Sequence, residues 1–155
     1  MEKPNSLRAA LTQAAPGFAT NPEWLIIRVE KGRIRSPLTG NRGFALEYQL
    51  ILTVIECTLH PSVLFLAIND WLARNQPDLL RPDAHAGFTF EAEYNDFSSV
   101  DIEVALDLTE QVALVDDGAG GLALQHQPEP DLSWLVGGDP FAPALIDLTA
   151  HPVVP

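Results

Sequence analysis

The sequence predicts an α+β fold: a mainly antiparallel sheet with two helices packed on one face, followed by a Pro-rich C-terminal arm. Three observations carry that expectation. Residues 44–57 and 87–108 alternate apolar and polar side chains at the two-residue period of strands. Residues 3–15 and 61–75 space their apolar side chains as helices do. The order helix, hairpin, long strand, helix, hairpin joins sequential strands through short turns, which favours antiparallel pairing.

The first helix is KPNSLRAALTQAA, residues 3–15. Asn5 or Ser6 is placed to cap it, and Leu7, Ala10, Leu11 and Ala14 form its apolar stripe. Pro16 and Gly17 end it, and Asn21-Pro22 is a turn signal. EWLIIRVE, Glu23 to Glu30, is strand-like in its Trp, Ile and Val content. Lys31-Gly32 reads as a tight turn from which Arg33-Ile34-Arg35 returns, so Arg28, Lys31, Arg33 and Arg35 cluster on one hairpin. The loop SPLTGNRG follows and carries Arg42 at its tip.

Phe44 to Cys57 is a long strand with Phe44, Leu46, Tyr48, Leu50, Leu52 and Val54 on one face and Glu47, Gln49 and Thr53 on the other. Ile51 and Ile55 interrupt the polar face, so part of it is also covered. The helix from Pro61 takes Pro61 into its first turn, with Ser62 as cap and Leu64, Ile68, Trp71 and Leu72 as its stripe. Pro77 stops it by driving residue 76 out of the α region. Val63, Phe65, Leu66 and Ala67 make the other side apolar as well. A helix apolar most of the way round is covered on two sides. Core packing is the plain explanation; a helix shared with a subunit interface, through Phe65 and Leu66, is the sharper one.

GFTFEAEY, 87–94, points Phe88, Phe90, Ala92 and Tyr94 inward, and VDIEVALDL, 100–108, does the same with Val100, Ile102, Val104, Leu106 and Leu108. Glu91, Glu93, Asp101, Glu103 and Asp107 then share one outer face of adjacent strands. Like charges on neighbouring strands repel, so this face meets water or a basic partner. Thr109 to Val115 extends the strand, Asp116 to Gly121 turns, and Leu122 to Leu124 returns. From Gln125 prolines become frequent, which gives one domain over 1–124 and an arm over 125–155. The arm's Trp134, Leu135, Val136, Phe141, Leu145 and Ile146 require burial against the sheet edge or a neighbouring subunit.

The chain of 155 residues has 46% hydrophobic and 19% charged residues, as a folded domain does. No apolar run reaches the length of a membrane span, and Glu2, Lys3 and Arg8 interrupt what a signal peptide would need. The net charge of −12 is unevenly spread: residues 1–75 carry +2 and residues 76–155 carry −14. That division fits unlike surfaces meeting head to tail in an oligomer, or acidic strands that keep the chain soluble. A chain this acidic is a poor general binder of nucleic acid.

Catalytic and cofactor motifs are missing from the sequence. His60, His85, His126 and His151 have no second ligand at metal spacing. There is no phosphate loop, dinucleotide fingerprint or nucleophile elbow, and the lone Cys57 has no indicated His partner. The expectation is no catalytic residue, no cofactor and no metal. The competing functional class is a cation site or acid–base pair on the Glu91, Glu93, Asp101, Glu103 face.

Five segments together, KPNSLRAAL (3–11), TNPEWL (20–25), WLARNQPDLL (71–80), GFTFEAEYND (87–96) and SVDIEVALDLTE (99–110), resemble the tail completion protein R family of contractile-tailed temperate phages. The resemblance spans about residues 3–115, in order and register, and does not extend into the arm. It implies a non-enzymatic virion protein at the head-proximal end of the tail, made and assembled in the host cytoplasm. Such a protein is a terminator that forms a ring, usually a hexamer, stops polymerisation of tube and sheath, and prepares the tail to join the head. Its implied partners are its own copies, the tube and sheath proteins and a head-side connector, with DNA passing unbound and no membrane involved. The alternatives are a neck protein docking on the head side, or a collar component of a phage-tail-like bacteriocin. On this reading Arg28, Lys31, Arg33, Arg35, Arg42, Phe65 and Leu66 are candidate interface residues. Glu91, Glu93, Asp101 and Glu103 are candidates to line the channel.

Overall fold

The computed structural model describes residues 1–37, 40, 42–81, 87–95 and 98–130. Its elements run α1 (Lys3–Ala14), α2 (Gly17–Thr20), a 3-10 turn at Pro22–Trp24, β1 (Leu25–Arg35), β2 (Phe44–Cys57), α3 (Pro61–Asn75), a second 3-10 turn at Pro77–Leu80, β3 (Thr89–Tyr94), β4 (Val100–Asp116) and β5 (Leu122–His126). The architecture is the expected α+β one. The sheet is antiparallel throughout, in the order β1-β2-β4-β3, with β5 pairing farther along β4.

α1 and α3 cover one face. There Tyr48, Leu50, Leu52 and Val54 of β2, with Val100, Ile102, Val104, Leu106 and Leu108 of β4, meet Leu7 and Leu11 of α1 and Leu64, Ile68, Trp71 and Leu72 of α3. Each fully buried Leu or Ile contributes about 1.5–3 kcal/mol relative to exposure. The two helix stripes are thus those read from periodicity. Among the described residues no helix lies on the opposite face. Ala45 and Ile51 are buried on it among longer polar neighbours.

Three local expectations are corrected. Lys31-Gly32 is not a hairpin turn: β1 runs straight through, with a bulge between Glu30 and Arg33 and Lys31 at φ +52°. Continued pairing with Glu47, Leu46 and Ala45 of β2 outweighs the local turn preference. The bulge shifts the side-chain alternation by one residue, so Arg33 and Arg35 emerge on the same face as Arg28. A second bulge, with Glu56 at φ +52°, lies between Val54 and Cys57 of β2 and returns Cys57 to the core face.

Neither helix is capped as its sequence reads. α1 starts already at Lys3, without a side-chain cap, and Ser6 Oγ instead accepts from Trp71 Nε1 at 3.0 Å, tying α1 to α3. α3 is capped by His60, whose Nδ1 accepts the Ser62 N–H at 3.2 Å. Pro16 and Gly17 end α1 as expected, and Gly17 also opens the short α2. Finally, Phe90, Ala92 and Tyr94 are not interior. β3 is an edge strand, exposed along its whole length, because the helix layer reaches only as far as Phe65. The Phe65 ring lies 4.5 Å from that of Phe90 and 6.0 Å from that of Phe88.

Candidate interaction surface

The open face of the sheet joins two features that the sequence presents separately. Pairing partners place Arg28, Glu30, Arg33 and Arg35 of β1, Glu47, Gln49 and Thr53 of β2, Asp101, Glu103 and Asp107 of β4, and Glu91 and Glu93 of β3 on that one face. Positive charge gathers at the β1 side and negative charge at the β3 side. The basic and acidic groups meet in the middle: Arg28 Nη2 lies 3.3 Å from Glu103 Oε2, and Arg35 Nε lies 3.1 Å from Glu47 Oε1. Lys31 Nζ donates to Gln49 Oε1 at 3.0 Å, and Gln49 Nε2 to Asp107 Oδ1 at 3.1 Å. Such exposed pairs contribute at most about 1 kcal/mol each. Their effect is to order the face.

The four acidic candidates fall into two kinds. Glu91 stands opposite Glu103, and Glu93 opposite Asp101, which brings like charges together. The β4 members are compensated. Asp101 Oδ1 accepts the Glu56 N–H at 2.8 Å and Asn95 Nδ2 at 2.9 Å, while Glu103 accepts from Thr53 Oγ1 at 3.3 Å and pairs with Arg28. Glu91 and Glu93 are exposed and have no ion-pair partner among the described residues. Among the described residues no group of three or more His, Cys, Asp or Glu side chains is placed to hold a metal ion.

Phe65 is half-buried beneath Phe88 and Phe90, and Leu66 is 47% exposed. Phe65 thus lies on the β3 side of the molecule, at the opposite end of the sheet from the basic cluster. Arg42 is exposed just before β2. Burial pushes the Cys57 thiol up, and nearby Asp101 adds to this, against a weaker pull from the Leu59 carbonyl. His85, His151, Trp134, Leu135, Val136, Phe141, Leu145 and Ile146 lie outside the described residues.

A polar cluster that sequence reasoning missed lies at the outer edge of β4. β3 pairs with residues 100–105 and β5 with 112–116, which leaves a gap between them. A buried strand edge needs hydrogen-bond partners, and here side chains supply them. Gln76 Oε1 accepts the Thr109 N–H at 3.0 Å, and Lys3 Nζ donates to the Thr109 carbonyl at 2.7 Å. Lys3 also donates to Gln76 Oε1 at 2.8 Å and ion-pairs with Glu129, while Gln76 Nε2 reaches Asp78 Oδ2 at 3.0 Å and Thr109 Oγ1 at 3.1 Å. Lys3 and Gln76 are buried.

Beside them the buried Glu110 accepts the Tyr48 hydroxyl at 2.5 Å and the Glu2 N–H at 2.7 Å, and its Oε2 lies 2.8 Å from His126 Nδ1. That last contact is a close approach of opposite charge and not a hydrogen bond: the buried Nδ1 has no hydrogen-bond partner among the described residues. Burial draws the Glu110 carboxyl upward. The Tyr48 hydroxyl, the Glu2 N–H, the N-terminal amine and His126 together outweigh it and hold the carboxyl below its ordinary value. Burial, reinforced by Glu110, raises the Tyr48 phenol and keeps it protonated. The cluster fastens the start of α1, the end of α3 and residues 126–129 onto β4. No helical or strand period marks it, since it is made by groups far apart in sequence.

The family model for "P2 phage tail completion protein R (GpR)" matches residues 1–130, which takes in every described element. The chain is 40% identical over 132 residues to tail completion protein R of Escherichia phage P2, covering 84% of each protein. No solved structure shows significant similarity. The matched region contains both the charged open face and the buried clasp, and the chain belongs to the P2 phage tail completion protein R family.

Proposed function

We propose that this phage tail completion protein closes the head-proximal end of a contractile tail as a ring of its own copies. The observation that carries the reading is the family match across all described elements, at 40% identity to the phage P2 protein. The ring, a hexamer, would stop growth of tube and sheath and offer the head-side connector its docking surface, with the protein placed on the tail after assembly in the host cytoplasm. The role is structural rather than enzymatic. Residues 1–124 form the ring-building domain; residues 125–129 at the start of the arm are held on its sheet, and the rest of the arm to 155 reaches the sheet edge or a neighbouring subunit. The open face supports the assignment of Glu91, Glu93, Asp101 and Glu103 to the channel wall, since an acidic wall repels passing DNA. Arg28, Lys31, Arg33, Arg35, Arg42, Phe65 and Leu66 are assigned to contacts between copies or with the tube.

Electron microscopy of tails made without the protein tests this. Tails of uncontrolled length, or sheaths that fail to hold, are the expected result. Tails of normal length that merely fail to join heads would move the protein to the head-side neck.

A further inference from the structure

Among the described residues the sheet ends in two unpaired edges. β1 forms one; β3, with β5 beyond it, forms the other. A strand edge presents unpaired backbone groups that template pairing with another chain. The two edges are unlike. β1 carries Arg28, Lys31, Arg33 and Arg35 against a single Glu30, while β3 carries Glu91 and Glu93 and no basic residue. On both strands the other, helix-side face is apolar and exposed: Val29 at 37% and Ile34 at 66% on β1, Phe90 at 53% and Tyr94 at 63% on β3. Charge is therefore complementary on one face, and apolar surface is present on the other.

We propose that β3 of one copy pairs antiparallel with β1 of the next, so that neighbouring subunits share one continuous sheet around the ring. The inference rests on the ring reading above and specifies its contact. Strand direction permits it. In the order β1-β2-β4-β3 the strands alternate in direction, and their number is even. A rotated copy therefore presents its β1 antiparallel to the β3 it meets, with the open faces on the same side. Symmetric pairing is disfavoured, because β1 against β1 sets basic residues opposite basic ones and β3 against β3 sets Glu against Glu. Only the head-to-tail contact matches the charges, and a head-to-tail contact closes into a ring when the rotation between copies closes. Within it Lys31 and Arg33 meet Glu91 and Glu93, while Phe90 and Tyr94 cover Val29 and Ile34. Phe65 behind Phe90 supports this apolar side, which gives Phe65 and the basic cluster complementary places on opposite edges of one subunit.

Charge exchange on the full-length chain tests the proposal, read by sedimentation velocity and by capping of purified tails. One variant carries Lys31→Glu and Arg33→Glu; a second carries Glu91→Lys and Glu93→Lys. All four side chains are exposed, and thermal melts within a few degrees of the parent show that both variants fold. Each variant alone is expected to associate at least tenfold more weakly than the parent. An equimolar mixture is expected to recover assembly as alternating copies, since each then meets an edge of opposite charge. Variants that assemble alone as the parent does, or a mixture that recovers nothing, would overturn the edge pairing while leaving a ring in place. A parent chain that neither self-associates nor caps tails would instead sink the ring reading itself.

Discussion

At the residue scale, Gln76 connects most to the rest of the fold. Its amide replaces a missing strand partner for Thr109 and fixes the Lys3 ammonium. Gln76→Leu keeps the volume but leaves the Thr109 N–H and Lys3 short of partners in a buried place. Unpaired buried groups cost about 1–3 kcal/mol each, and more when charged. The expected loss is about 2–4 kcal/mol, read as a fall of roughly 5–15 °C in Tm. Glu110 gives a pH signature. Its folded pKa lies below the unfolded one, so its contribution is complete above the ordinary carboxylate value of about 4.3 and is lost as pH falls through the depressed folded value. Glu110→Gln should therefore be less stable near neutrality and lose less further stability on acidification than the parent. A parent Tm curve parallel to that of the variant from pH 7 to pH 3 would contradict the assignment. None of this was legible in the sequence. Gln76 sits at a helix stop that Pro77 already explains, and Lys3 at a helix start that Pro4 explains. Their pairing exists only once α1, α3 and β4 are brought together.

At the element scale, periodicity carried most of the information, and it failed where neighbours in space decide. The bounds of the strand 44–57 and the stripes of both helices follow from spacing, because burial of one face dictates them. The β1 bulge did not follow. Gly32 invites a turn, yet β2 is long enough to hold Arg33 to Arg35 in the ladder, and Lys31 rather than the glycine takes the left-handed conformation. Nor did alternation reveal that β3 is an edge, since a strand with one face toward a helix and one at the sheet boundary reads alike. α3 offers a direct comparison. Leu64 is fully buried, whereas Leu66 is 47% exposed. Leu64→Ala is expected to cost about 2–5 kcal/mol by cavity formation and to lower expression and Tm. Leu66→Ser should change stability by less than about 1 kcal/mol, as surface changes do. If the helix meets a neighbour, Leu66→Ser will instead lower the yield of capped tails, and full capping with unchanged stability would free Leu66 from the interface.

At the scale of the whole molecule, two electrostatic effects of opposite sign act on association. The chain carries −12, so copies repel one another as bodies. At the proposed junction, Lys31 and Arg33 attract Glu91 and Glu93 at contact distance. Salt separates the two because their ranges differ. At 10 mM the Debye length is about 30 Å, and bodies of this size still feel each other's net charge. At 0.15 M it is about 8 Å, so net repulsion is largely screened while close pairs are not. At 1 M it is about 3 Å, and contact pairs weaken as well. Association of the full-length chain should therefore pass through a maximum between these extremes. The variant with Lys31→Glu and Arg33→Glu, which loses the attraction and adds to the repulsion, should only gain association as salt rises. Sedimentation velocity across this range reads both curves. A parent curve that climbs steadily to 1 M would mean that apolar contacts, with Phe90 and Tyr94 foremost, hold the copies together and that the charged edges only select the partner.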